Sequence, residues 1–317
     1  MYVQIFELLE GDRKGPPGEV MMKYARFASI ILLAVGASAQ AAQDISESLE
    51  TSSDGRVSIS NTSGSIDVAG WSRNEVEVTG SMGDEVEELV FERSGDNIRI
   101  KVKIPDDKGW NRDVSADLTI RVPEQSSIDI ATISADIDVQ SVYGEQDLQA
   151  ISGDITTEVF GSDSGVETVS GDIEIQGDGK PARTDAQSVS GDVSAERIAG
   201  DFDGESVSGD VAIVDSSVRR GDMETVNGSI TFRAALESGG RLDIETVNGG
   251  VDIEFLGDVS ARFDIETFNG RIRNCFGPKP ERTSKYAPGW ELSFTEGDGD
   301  GRVRAATLNG GLNLCKK

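Results

Sequence analysis

The sequence predicts an all-β protein built as a solenoid of short repeats. Three observations carry this: a motif returns every 18–21 residues, apolar and polar residues alternate with period two inside each unit, and no helical pattern follows the amino-terminal segment.

The motif is an apolar residue, then Ser or Asn, usually Gly, a variable residue, and Ile, Val or Leu. Its Ser or Asn members are Ser134, Ser152, Ser170, Ser190, Ser208, Asn227, Asn248, Asn269 and Asn309, spaced 18, 18, 20, 18, 19, 21, 21 and 40 residues apart. Thr62-Ser63-Gly64-Ser65-Ile66 reads as an earlier copy. Leu242, Ile244 and Thr246 alternate with polar residues, and Val251, Ile253 and Phe255 alternate one residue out of phase. The phase change at Val247-Asn248-Gly249 marks a corner, where Gly is expected to supply unusual backbone angles. A unit of about 20 residues with two short strands cannot bury its apolar face alone, but a stack of units can. Ile137, Ile155, Ile173, Val193, Val211, Ile230, Val251, Ile272 and Leu312 then form one aliphatic column. Stacked Asn amides are expected to bond along their own column. A β-sandwich or a propeller is the competing architecture, but propeller blades need about 40 residues.

The flanks complete the organisation. Residues 1–20 read as a mis-assigned extension before a natural start at Met21 or Met22, and residues 21–41 as a secretory signal peptide with a basic start, an apolar run and a small-residue exit. That apolar run is too short to span a bilayer, and no later stretch is apolar enough to do so. Residues 43–125 carry Val76-Glu77-Val78, Leu89-Val90-Phe91, Ile98–Val102 and Leu118–Val122, which look like antiparallel strands of an irregular β cap with the first unit. Residues 126–317 hold the repeats, with a Pro/Gly loop at 276–290 read as an insertion in the last unit.

Net charge is −27, and it stays there when residues 1–41 are removed, since four basic and four acidic groups go together. Such acidity argues against nucleic acid or anionic lipid as direct partners. The chain has no His, which removes Ser-His-Asp and Cys-His nucleophile systems and the commonest transition-metal ligand. Cys275 and Cys315 each lie six residues after a motif Asn, at 269 and 309. Neighbouring units would place them about 4.8 Å apart, within disulfide reach, and an exported chain meets an oxidising compartment.

Thr168-Val169-Ser170-Gly171-Asp172-Ile173, Thr225-Val226-Asn227-Gly228 and Thr246-Val247-Asn248-Gly249 resemble the units of the bacterial "putative adhesin" β-strand-repeat family, a domain family of unknown function. The resemblance covers roughly residues 50–315. It implies a right-handed β-helical fold and a cell-envelope setting, and it brings no catalytic residues.

Two constellations stand out. Asp136, Asp154, Asp172, Asp192 and Asp210 follow the corners and would stack as a carboxylate column. In bulk water that costs roughly 0.9 kcal/mol of repulsion per gap, which a solvated surface tolerates. The alternative is an oxygen-only Ca²⁺ site, the one cofactor the sequence raises. Gly297-Asp298-Gly299-Asp300-Gly301 reads as a turn rather than a calcium loop. The Thr column (Thr225, Thr246, Thr267, Thr307) is ascribed to strand propensity and the corner rather than to a ligand face. The expected function is non-enzymatic: an adhesin or envelope scaffold in the periplasm or at the cell surface, binding a protein, glycan or cation through acidic faces. A β-helical polysaccharide lyase or hydrolase is the alternative, and a groove lined by Asp with Arg or Lys would favour it.

Overall fold

The structure is a computed structural model that describes residues 43–105, 113–284 and 288–317. The expected extension at 1–20 and signal peptide at 21–41 lie outside the described residues. Among those described there is no helix, and 23 strands join in one hydrogen-bonded sheet.

The amino-terminal strands are β1 (Gln43–Glu50), β2 (Arg56–Trp71), β3 (Glu75–Met82), β4 (Glu88–Ser94), β5 (Asn97–Lys103), β6 (Ala116–Pro123) and β7 (Ser127–Gln140). The repeats continue as β8 (Gln146–Ser152), β9 (Ile155–Val159), β10 (Ser164–Ser170), β11 (Ile173–Gly177), β12 (Pro181–Ser190), β13 (Val193–Glu196), β14 (Ala199–Ser206), β15 (Val211–Asn227) and β16 (Ile230–Asn248). The last are β17 (Val251–Phe255), β18 (Ala261–Thr267), β19 (Ile272–Asn274), β20 (Glu281–Arg282), β21 (Trp290–Glu296), β22 (Gly301–Asn309) and β23 (Leu312–Lys316).

Successive units lie side by side as parallel pairs in the register the motif implies. Ser152 pairs with Ser170, Ser170 with Ser190, and Asn227 with Asn248. The aliphatic column is buried from Ile137 through Val251, together with Leu312, while Ile272 is only half-buried because it lies in the final layer. Stacking therefore removes from water a row that no single unit could cover. At the carboxyl end the row closes on a cluster of rings. Phe263 stacks on Phe294 at 4.5 Å, and Phe255 and Phe276 pack edge-on at 6.4 Å.

The corner has a different physical basis from the one expected. Gly153, Gly171, Gly191, Gly209, Gly228, Gly249, Gly270 and Gly310 do not adopt positive φ. A Cβ on any of them would instead stand 1.7–2.2 Å from the carbonyl oxygen of the adjoining corner. Glycine is required because backbones meet there. The Thr column completes the corner: Thr225, Thr246, Thr267 and Thr307 are buried, and their hydroxyls donate to the carbonyls of Gly209, Gly228, Gly310 and Gly249 at 2.9–3.0 Å.

Spatial order departs from chain order at both ends. β22 and β23 lie between two earlier layers. Leu312 pairs with Val251 on one side and with Ile272 on the other, and Thr307 pairs with both Thr246 and Thr267. The chain leaves a slot open at 256–260, lays down β18 and β19, reverses through antiparallel β21 on the outside of β18, and then fills the slot. The 40-residue spacing thus holds a whole extra strand, β21, as well as the 276–290 segment, part of which forms β20 against β21. The amino end is built likewise. β2 pairs with β7 on one side and with β5 and β6 on the other, and Ser63 faces Ser134. Of the strands expected to be antiparallel, β3 and β4 are so, whereas β5 and β6 also pair in parallel with β2. The antiparallel partners β21 at one end and β1, β3 and β4 at the other shield sheet edges that would otherwise be open.

Candidate functional site

Two polar columns run along the corners. Asn248 donates to Asn227, Asn309 to Asn248 and Asn269 to Asn309, each amide-to-amide at 2.9 Å. Where the corner residue is Ser instead, at Ser152, Ser170, Ser190 and Ser208, the following Asp makes the connection. The backbone N–H groups of Asp154, Asp172, Asp192, Asp210 and Ser229 donate to the carboxylates of Asp136, Asp154, Asp172, Asp192 and Asp210 at 2.7–3.0 Å. The carboxylates considered as Ca²⁺ ligands are therefore brought together, but one oxygen of each already caps the next unit. Among the described residues no group of three or more acidic or Cys side chains is placed to hold a metal ion. Cys275 and Cys315 form a disulfide, with Cα atoms 4.8 Å apart, on the partially exposed edge of the last two layers.

The most distinctive surface lies on the outside of the strands that precede the corners. Among the described residues the exposed large hydrophobics are Val207, Val226, Val247, Leu308 and Phe268, with relative exposures of 39–48%. All five occupy one repeat position and lie in adjoining layers in that order, as the Thr and Asn pairings on either side of them fix. The column continues through Ile133, Ile151, Val169 and Val189, which are half-buried. Two residues upstream runs a Glu column, Glu205, Glu224, Glu245 and Glu266, interrupted by Ala306. Two further upstream is an Asp column, Asp185, Asp203, Asp222, Asp243 and Asp264, interrupted by Arg304. Arg220, Arg241, Arg302 and Arg262 stack beyond it.

The apolar ladder and the Glu column line a groove of about 850 Å³, walled near Phe268 by Thr283, Pro288 and Gly289. No Lys or Arg forms an ion pair with Glu205, Glu224, Glu245 or Glu266 among the described residues. Partial burial, and then the charges of Asp222, Glu205 and Glu245, push the Glu224 carboxyl above its usual range. Burial followed by Glu205 does the same to Asp203, and burial followed by Asp243 to Asp222. A second depression of about 1010 Å³ lies further along this face, lined by Asp147, Asp163, Glu167, Asp185 and Asp203 with Arg99 and Arg183. Burial and Asp147 raise the Glu167 carboxyl.

This face was missed in the sequence, although the signal was present. Thr246 points inward in the alternation, so Val247 must point outward.

No family profile matches the sequence, and no curated protein matches it. Two solved structures are similar in outline. One is described as a "putative cell adhesion protein" from Clostridium sporogenes, at 9% identity and TM-score 0.26, covering 87% of this chain and 100% of that one. The other is described as a "putative lipid binding protein" from Parabacteroides distasonis, at 13% identity and TM-score 0.33, covering 86% and 96%. At these scores neither likeness bears on function.

Proposed function

We propose that the chain is an exported, non-enzymatic right-handed β-solenoid that binds an envelope protein or glycan in the periplasm or at the cell surface. Parallel register between consecutive motif copies, from Ser134 to Asn248, supports the solenoid architecture. The observation that carries binding is the apolar ladder from Val207 to Phe268, since contiguous exposed apolar surface marks interaction sites. The test is retention of the purified protein on envelope fractions. Replacing Val226, Val247 and Leu308 together by Ser should abolish retention without lowering the melting temperature, and unchanged retention would refute the reading.

The acidic depression around Glu167, with Arg99 and Arg183 on its rim, favours a second reading as a polysaccharide lyase or hydrolase. Cleavage of acidic or neutral polysaccharides that is lost in Glu167→Gln would establish it. No cleavage by wild type leaves the binding reading in place.

A further inference from the structure

Resting on the binding reading above, we propose that the groove along Val207, Val226, Val247, Leu308 and Phe268 receives a basic amphipathic α-helix of a partner protein.

Three observations select this occupant. The first is length and period. Rungs about 4.8 Å apart make the five-residue ladder about 19 Å long. An α-helix laid along it advances about 5.4 Å per turn, so about 14 residues place roughly one apolar side chain over each rung. An extended strand would repeat on one face every 6.8 Å or so and fall out of step within two rungs.

The second is charge. The Glu column runs parallel to the ladder and has no basic partner among the described residues. Glu224 is already disfavoured as an anion by partial burial and by Asp222, Glu205 and Glu245. Lys or Arg along one flank of the helix relieves that repulsion, and the chain's net charge of −27 steers a cationic segment towards the face. The same charges disfavour other occupants. A second copy of this face would set Glu against Glu, and an anionic membrane surface would be repelled.

The third is the interruption at Ala306 and Arg304, which belong to the inserted layer. A fitting helix carries its basic residues beside Val207, Val226, Val247 and Phe268, and a neutral residue beside Leu308.

The experiment uses the folded protein and three synthetic peptides of about 14 residues with one Leu stripe, flanked by Lys, by Gln or by Glu. Vesicles of zwitterionic phosphatidylcholine serve as a fourth probe. The Lys peptide should bind and gain helicity, about tenfold or more tighter than its Gln twin, while the Glu twin should not bind. Glu224→Gln with Glu245→Gln should remove the difference between Lys and Gln peptides by weakening the Lys peptide. The Val226, Val247 and Leu308 Ser variant should weaken both. Equal binding of the Lys and Gln peptides overturns the proposed charge selection while preserving the groove as a binding site. Binding of vesicles but no peptide overturns the helix in favour of lipid. No binding of any probe overturns the helix proposal, and the envelope-retention assay then judges the broader reading separately.

Discussion

Asn309 donates its side-chain amide to Asn248 across 61 residues of sequence, and accepts the amide of Asn269 on its other side. The last motif copy is thus the penultimate layer. β22 and β23 are interior strands, although they come last in the order of the described strands.

The disulfide fastens this arrangement, because Cys275 follows β19 and Cys315 lies in β23. Closing a loop of 40 residues is worth about 4 kcal/mol in the chain-entropy account. Cys275→Ser should lower stability by an amount of that order. Hydrogen exchange should show faster opening of β18, β19 and β21 while β8 to β14 stay protected. A uniform loss of protection would contradict a local clamp.

Gly249→Ala tests the corner. The new Cβ would stand 1.8 Å from the Gly228 carbonyl oxygen, so the backbones must separate. Overpacking of this kind costs about 1–3 kcal/mol, read as a lower denaturant midpoint. Alanine at Gly95, where nothing lies within 4 Å, meets no such contact. Its backbone is in the left-handed region, with φ 67°, so a smaller loss of about 1 kcal/mol is expected there.

Val211→Asp tests the core register. Val211 is fully buried between Val193 and Ile230, and no basic group belongs to that column. An unpaired carboxylate there should cost about 3–5 kcal/mol. An unchanged melting temperature would refute the register.

The acidic face predicts a pH dependence. Burial and neighbouring acids raise the carboxyls of Asp129, Glu167, Asp203, Asp222 and Glu224 above their ordinary values of 3.8 for Asp and 4.5 for Glu. Just above those values the folded chain holds more protons than the unfolded chain. Stability therefore falls as pH rises through that window, and rises as neutral solution is acidified into it. Asp178 runs the other way. Its burial is outweighed by hydrogen bonds and charge from Lys180, so its contribution is lost only below 3.8. Thermal melts should give a higher midpoint near pH 5 than at pH 7, with the difference shrinking in high salt. A flat or inverted profile would show that burial and neighbouring acids do not hold these carboxyls above their ordinary values.

The repeat period, the aliphatic column, the Asn ladder and the pairing of Cys275 with Cys315 were all legible in the sequence, because each depends on residues at fixed offsets inside one unit. Three things were decided only by tertiary structure. The place of β22 and β23 was one, since units of like pattern can pair with any neighbour and their offsets do not say which layers adjoin. The reason for the corner glycines was another, since it lies in the carbonyl of the adjoining layer and not in the residue's own φ. The exposed apolar face was the third. One Val among polar residues is unremarkable in a single unit, and it becomes a continuous apolar ladder beside a row of carboxylates only when parallel register stacks that position layer upon layer.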